Sequence, residues 1–191
     1  MQNKTFAQIV GSQNYTISIN GYPMNINNTN ELLGNLYGVY GIKTGFTNGA
    51  NRCLVTCCKR NDMDIICVVL GADTKSFRTK DSIKLIEYTF KNFKPVNVQD
   101  LINDEFNTWK KSNENTFNII KGLSNDINLK VSEIQNPIIP IFTDDISKLK
   151  VEIECERTLI APININYDIG DININIDGKI IEKYDILTQD S

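Results

Sequence analysis

The chain has 191 residues, 41% hydrophobic and 23% charged, with a formal net charge of −3 at neutral pH. Those proportions belong to a globular chain with a buried core, and the acidic balance excludes a general nucleic-acid binder, which needs a basic patch. No histidine occurs anywhere, which removes His-based triads, His-metal sites and His proton shuttles together.

No apolar run reaches the roughly 18 residues of a transmembrane helix. Met1 is followed by Gln-Asn-Lys-Thr with no apolar stretch behind it, so no signal peptide is expected. The composition is biased toward Asn (25 residues) and Ile (29 residues). The Asn-Ile alternation over 164–176 is therefore read as strand in a biased alphabet and not as a prion-like tract.

Charge divides the chain. Residues 1–94 carry 11 Lys and Arg against 6 Asp and Glu, whereas residues 95–191 carry 9 against 17. The change falls at Lys94-Pro95, and a proline behind a helical stretch is a stop signal. A domain boundary is expected there, giving two pieces each large enough to fold.

In chain order, residues 15–19 and 22–26 alternate apolar and polar around Asn20-Gly21. Both turn residues tolerate the positive φ of a type I′ turn, so a hairpin is expected. Residues 30–33 read as a short helical or turn segment. Residues 41–46 read as a short strand, and 53–59 and 64–70 as strands joined by Arg60-Asn61-Asp62. Residues 78–93 read as a helix with an apolar stripe of Ile83, Leu85, Ile86 and Phe90, capped at Ser76. The second piece reads as all-β, with short alternating strands at 117–120, 127–131, 138–142, 149–155, 172–176 and 179–187. Pro and Gly punctuate them at about ten-residue spacing, which predicts a small sandwich or barrel.

Lys43-Thr44-Gly45 carries the chemistry. It stands in Tyr40-Gly-Ile-Lys-Thr-Gly-Phe-Thr47, followed by the two predicted strands, Gly71-Ala72, Arg78 and the predicted helix. With Asn28-Thr-Asn30, Leu32-Leu33 and Val69-Leu-Gly-Ala72, this order and spacing resembles the low-molecular-mass penicillin-binding proteins, the serine-type D-alanyl-D-alanine carboxypeptidases. The tail extends the resemblance to about residues 5–187 through Leu159-Ile-Ala-Pro162, Ile169-Gly170 and Asp177-Gly178-Lys179. Two of that family's glycines are replaced, by Asn51 and Asn166, and Asn is the residue other than Gly that best tolerates left-handed backbone.

The resemblance implies an α+β fold: a partial β-lactamase/transpeptidase-like antiparallel sheet with a C-terminal helix, followed by a small all-β sandwich-like domain. It implies that residues 1–94 are the C-terminal portion of the D,D-peptidase domain and residues 95–191 the C-terminal β-rich domain. It also implies hydrolysis of the terminal D-Ala of peptidoglycan stem peptides through an acyl-enzyme, with β-lactams as ligands. The family's location is the extracytoplasmic face of the cell membrane.

Such catalysis needs Ser-x-x-Lys, Ser-x-Asn and Lys-Thr-Gly. Only the third stands in its place. Ser147-Lys-Leu-Lys150 follows the triplet by about a hundred residues, and Ser12-Gln-Asn14 and Ser18-Ile-Asn20 lie in or beside the predicted hairpin. All three are read as coincidences of composition. The chain alone is therefore expected to be inactive, its nucleophilic half missing or supplied in trans.

Within the resemblance, Lys43 is the catalytic cation. Lys43, Thr44, Gly45, Phe46, Thr47 and Arg78 are the substrate-binding set. Lys43 supplies positive potential, the Thr44 and Thr47 hydroxyls and Arg78 meet the terminal carboxylate, and the Phe46 backbone N–H forms half an oxyanion hole. The alternative is a non-catalytic module that binds or positions cell-wall peptide. A class A β-lactamase, which also uses Lys-Thr-Gly, is set aside because a long β-rich tail follows the predicted helix.

Neither cofactor nor metal is expected. Cys53 and Cys57 would lie about 13 Å apart along one strand, too far to share an ion. Cys57 and Cys67 either pair across the hairpin as a disulfide or serve as small buried apolar groups, the second being preferred. Trp109 is expected to pack at a domain junction.

Overall fold

Residues 1–189 are described by a computed structural model. The chain forms two compact units, Met1–Lys94 and Pro95–Ser191; the last two residues lie outside the described ones.

The first unit opens with α1 (Lys4–Gly11), capped by the Asn3 side chain on the Phe6 N–H. Eight residues with no buried side chain lie below the length at which periodicity speaks, and the sequence predicts no helix here. A hairpin follows, β1 (Asn14–Ile19) and β2 (Tyr22–Asn27), turned through Asn20 and Gly21, both at positive φ. Its register sets Tyr15, Ile17 and Ile19 opposite Ile26, Met24 and Tyr22 on one face. The other face is polar, with Thr16 bonded to Asn25.

After a turn-rich loop over 28–38 comes an antiparallel sheet of β3 (Val39–Thr47), β4 (Asn51–Arg60) and β5 (Met63–Ala72) in the order β3-β4-β5. The β4–β5 turn uses Asn61 and Asp62, both at positive φ. α2 (Lys75–Asn92) then covers one face. Leu54, Cys58, Cys67 and Val69 of the sheet meet Leu32 and Ile86 in one core.

The cap of α2 is Thr74, whose hydroxyl accepts from the Phe77 N–H at 3.1 Å, and not Ser76. The buried stripe is Arg78, Ser82 and Ile86, while Leu85 is exposed. The expected stripe is thus shifted around the helix, because the facing sheet selects which side is buried. The register places Thr56 opposite Cys67 and Ile66 opposite Cys57. Cys57 and Cys67 consequently lie on opposite faces, and all five cysteines are free thiols.

The second unit is entered through β6 (Phe93–Asn97), paired with β9 (Ile138–Phe142). Its main sheet has the order β10-β12-β13-β8, from Leu149–Cys155, Asp168–Ile176, Lys179–Gln189 and Asn128–Val131. A parallel pair joins β7 (Asn118–Ile120) to β11 (Thr158–Ile160).

The expectation of an all-β second piece is corrected by α3 (Val98–Asn113) and a short 3-10 helix, Thr143–Lys148. Val98, Ile102 and Phe106 of α3 fall one turn apart and pack with Leu129, Ile172, Ile174 and Ile186. The helix thereby covers the apolar face of the sheet, as a second layer must. Trp109, expected at a domain junction, packs within this unit: it stacks on Phe106 at 5.8 Å and meets Phe117 edge-on. The mixed helix-and-sheet class of the chain is as expected.

Candidate active site

β3 pairs only with β4 among the described residues, which makes it an edge strand. On it stand Lys43, Thr44, Gly45, Phe46 and Thr47. Asn28 takes the Ile42 carbonyl with its side-chain amide at 3.1 Å. In a strand the N–H and C=O of one residue point the same way and reverse at the next. Ile42 therefore turns its backbone groups to the free edge, and so do Thr44 and Phe46.

The Lys43 ammonium is exposed and held. Its Nζ donates to Thr29 Oγ1 at 2.8 Å, to the Thr44 carbonyl at 3.2 Å and to Thr44 Oγ1 at 3.2 Å. The Thr29 and Thr44 hydroxyls are themselves 2.5 Å apart. Thr47 Oγ1 accepts the Ala50 N–H at 3.0 Å, which leaves its own hydrogen free to donate. The Phe46 ring is exposed, with the Arg52 guanidinium 4.7 Å from its centroid. Gly45 has room around it, since a Cβ there would meet nothing closer than Cys53 Cβ at 3.8 Å.

Arg78 is placed differently from the other members of the set. It is only 4% exposed on the inner side of α2. Its guanidinium reaches Glu31 at 3.6 Å, and its Nε has no partner among the described residues. Glu31 also accepts the Thr79 hydroxyl at 2.7 Å. The structure thus gathers Lys43, Thr44 and Thr47 on one strand and holds Arg78 beneath the surface.

Beside Lys43 lies a groove of about 600 Å³ between α1 and the hairpin, lined by Ile9, Val10, Tyr15, Ile26 and Asn28 among others. Ser12 and Asn14 also line it, although Ser12 Oγ donates to the Gln8 carbonyl at 2.8 Å. Ser147 lies in the second unit, on the 3-10 helix.

Thr29 and Glu31 were missed as site residues by reasoning from sequence. The only signal was their position within and beside Asn28-Thr29-Asn30. Burial pushes the Cys57, Cys58 and Cys67 thiols up, so these groups are inert at neutral pH. Tyr40 is raised well above its ordinary value by burial and by its bonds to the Asp64 carboxylate, and stays a donor.

Residues 1–74 match the family model described as D-alanyl-D-alanine carboxypeptidase, and residues 106–191 match that of the penicillin-binding protein 5 C-terminal domain. The chain is 30% identical over 159 residues to D-alanyl-D-alanine carboxypeptidase DacF of Bacillus subtilis, covering 81% of this chain and 37% of that protein. It is 31% identical over 169 residues to DacC of Escherichia coli, covering 86% and 39%. Among solved structures, penicillin binding protein 5 from Haemophilus influenzae superposes with a TM-score of 0.70 at 24% identity, covering 97% of this chain and 50% of that one. Penicillin binding protein 6B from Escherichia coli gives 0.56 at 18%, covering 96% and 44%. The chain spans less than two fifths of the length of the two curated relatives.

Proposed function

Because the chain belongs to the D-alanyl-D-alanine carboxypeptidase family of low-molecular-mass penicillin-binding proteins, we propose that it supplies the substrate-binding strand of such an enzyme. In this reading residues 1–94 are the C-terminal portion of the peptidase domain and residues 95–191 its C-terminal β-rich domain. The reaction is removal of the terminal D-Ala from a peptidoglycan stem peptide through a serine acyl-enzyme. The serine and its base come from a segment outside this chain. The enzyme then acts at the extracytoplasmic face of the cell membrane; no helix among the described residues is long and apolar enough to cross a membrane.

The chemistry follows from charge. The stem peptide ends in a carboxylate, and attack on the adjoining carbonyl builds a second negative charge on its oxygen. The Lys43 ammonium stands on the edge strand as a fixed positive charge for both. The Thr44 and Thr47 hydroxyls donate to the carboxylate. The Phe46 N–H, on the free edge, offers one donor to the developing oxyanion. Fixed donors aimed at charge that develops in the transition state act without reorganising during the reaction. Arg78, buried with one distant carboxylate partner, adds positive potential from below the surface. A D-Ala-D-Ala mimic such as a β-lactam presents the same carboxylate and carbonyl.

The observation that carries this reading is the Lys43 ammonium fastened to Thr44 on an unpaired strand edge. It is tested by labelling with a fluorescent penicillin. The 191-residue chain alone is expected to give no covalent band, since it offers no activated nucleophile. The same chain joined to the upstream half of a relative is expected to label, and Lys43→Ala in that protein is expected to cut acylation by about 10²–10³. Labelling of the chain alone, or acylation at the parental rate without Lys43, sinks the reading.

A further inference from the structure

Asn28, Thr29 and Asn30 form a clamp on β3. Asn28 Nδ2 donates to the carbonyls of Val10 at 3.0 Å and Ile42 at 3.1 Å. Asn30 Nδ2 donates to the Gly41 carbonyl at 3.1 Å, and Asn30 Oδ1 accepts the Leu32 N–H at 3.1 Å. Asn28 Oδ1 accepts the Asn30 N–H at 3.0 Å. Asn30 is buried. Two side-chain amides thus fasten the loop to the backbone immediately before Lys43, and the residue between them is delivered to one place.

That residue is Thr29, and proton counting sets out what it can do there. An ammonium only donates, whereas a hydroxyl has one hydrogen and two lone pairs. Thr29 Oγ1 and Thr44 Oγ1 both accept from Lys43, and either hydroxyl can supply the hydrogen between them. In the arrangement where Thr29 donates, both lone pairs of Thr44 are occupied and its hydrogen is directed away from the cluster, toward any carboxylate that approaches. Without Thr29, the Thr44 hydroxyl is free to turn, and Lys43 loses its shortest bond.

We propose that Thr29 is a positioning residue of this site: it holds the Lys43 ammonium against the strand and fixes the Thr44 hydroxyl as a donor toward an incoming carboxylate. What Thr44 donates to rests on the carboxylate-binding reading above; the arrangement of Lys43 and Thr44 does not. The loop itself is held by the two asparagines, so removing the Thr29 hydroxyl separates positioning from folding.

The test uses the 191-residue chain in three forms: parent, Thr29→Val and Thr29→Ser. NMR relaxation at Lys43 Cε reads how firmly the ammonium is held. Thr29→Val, which leaves only the two longer bonds to Thr44, is expected to raise its mobility above the parental value, and Thr29→Ser, which restores a hydroxyl, to return it to the parental value. Titration with N-acetyl-D-Ala-D-Ala, followed at the Thr44 and Thr47 methyls, is expected to weaken about tenfold in Thr29→Val, the loss of one hydrogen bond to a charged group, and to recover in Thr29→Ser. A Lys43 side chain equally ordered in Thr29→Val, or one that Thr29→Ser fails to restore, overturns the proposal. A parent chain whose threonines ignore the dipeptide removes the carboxylate-binding reading alone, because the Lys43 signal still decides the role of Thr29.

Discussion

At the scale of single residues, asparagine stands at several positions where the backbone turns left-handed. Asn51 and Asn166 adopt φ of 52° and 60°. A short polar side chain is the smallest departure from glycine that this conformation accepts. Gly38 has no such latitude. Its φ is +82°, a Cβ there would lie 2.5 Å from the Lys59 carbonyl oxygen, and the Gly38 carbonyl accepts the Lys59 N–H at 2.9 Å, which anchors the loop that leads into β3. Gly38→Ala is expected to destabilise the first unit by about 1–3 kcal/mol, read from the denaturation midpoint.

Arg60 links the same loop to α2. It donates to the Tyr37 carbonyl at 2.9 Å, lies over the Phe90 ring and pairs with Glu87 at 2.9 Å. The hydrogen bond from Arg60 holds the Glu87 carboxyl below its ordinary range. A carboxyl lowered in the folded state adds stability above its unfolded value, and that gain is lost as the pH falls through the lowered one. Glu87 is half exposed, so the gain is about 0.5 kcal/mol. Glu87→Gln is expected to unfold slightly earlier than the parent at pH 7 and with it at pH 2, in paired urea titrations.

At the scale of elements, α2 and α3 are held by what their buried stripes meet. Ile86 is fully buried between α2 and the sheet. Ile86→Ala is expected to cost about 2–5 kcal/mol, the range for emptying a packed aliphatic site. The equivalent truncation at Leu85, on the exposed side of the same helix, is expected to cost far less; comparing their thermal midpoints checks which face the sheet selects. α3 was legible in principle. Val98, Ile102 and Phe106 recur every four residues, Asn97 caps the Gln99 N–H, and Lys110 and Lys111 fall in the last turn. The flanking Val96 and Val98 read equally well as strand alternation, and the polar surroundings hid the stripe. The β4–β5 hairpin was read to within two residues because its two turn residues sit between long alternating runs.

At the scale of the whole molecule, the two units differ in how completely they cover their sheets. In the first, the side of the sheet away from α2 shows Ile66, Val68 and Leu70 at 61%, 51% and 71% exposure. Leu54 does not join them, as it lies under α2. α1 lies against β3 on the part nearest Gly41. Apolar rows of this kind, beside an unpaired edge, invite association. In the second unit, α3 and the main sheet enclose a larger core. Residues 1–94 expressed alone are therefore expected to bind a hydrophobic dye or self-associate, and residues 95–191 alone to unfold cooperatively as a monomer. Dye fluorescence and sedimentation of the two pieces decide it; a monomeric 1–94 that ignores the dye contradicts the expectation.

The sequence alone determined what depends on local order. The hairpin at Asn20-Gly21, the three strands around the Lys-Thr-Gly triplet, the long helix after them and the family were all readable, because turn chemistry, alternation and motif spacing are written along the chain. Tertiary structure decided what depends on partners distant in sequence. Which side of α2 is buried, the burial of Arg78 against Glu31 and the contact of Thr29 with Lys43 all arise when separate segments of the chain meet. Register and packing set those meetings, and neither is a property of any single stretch of the chain.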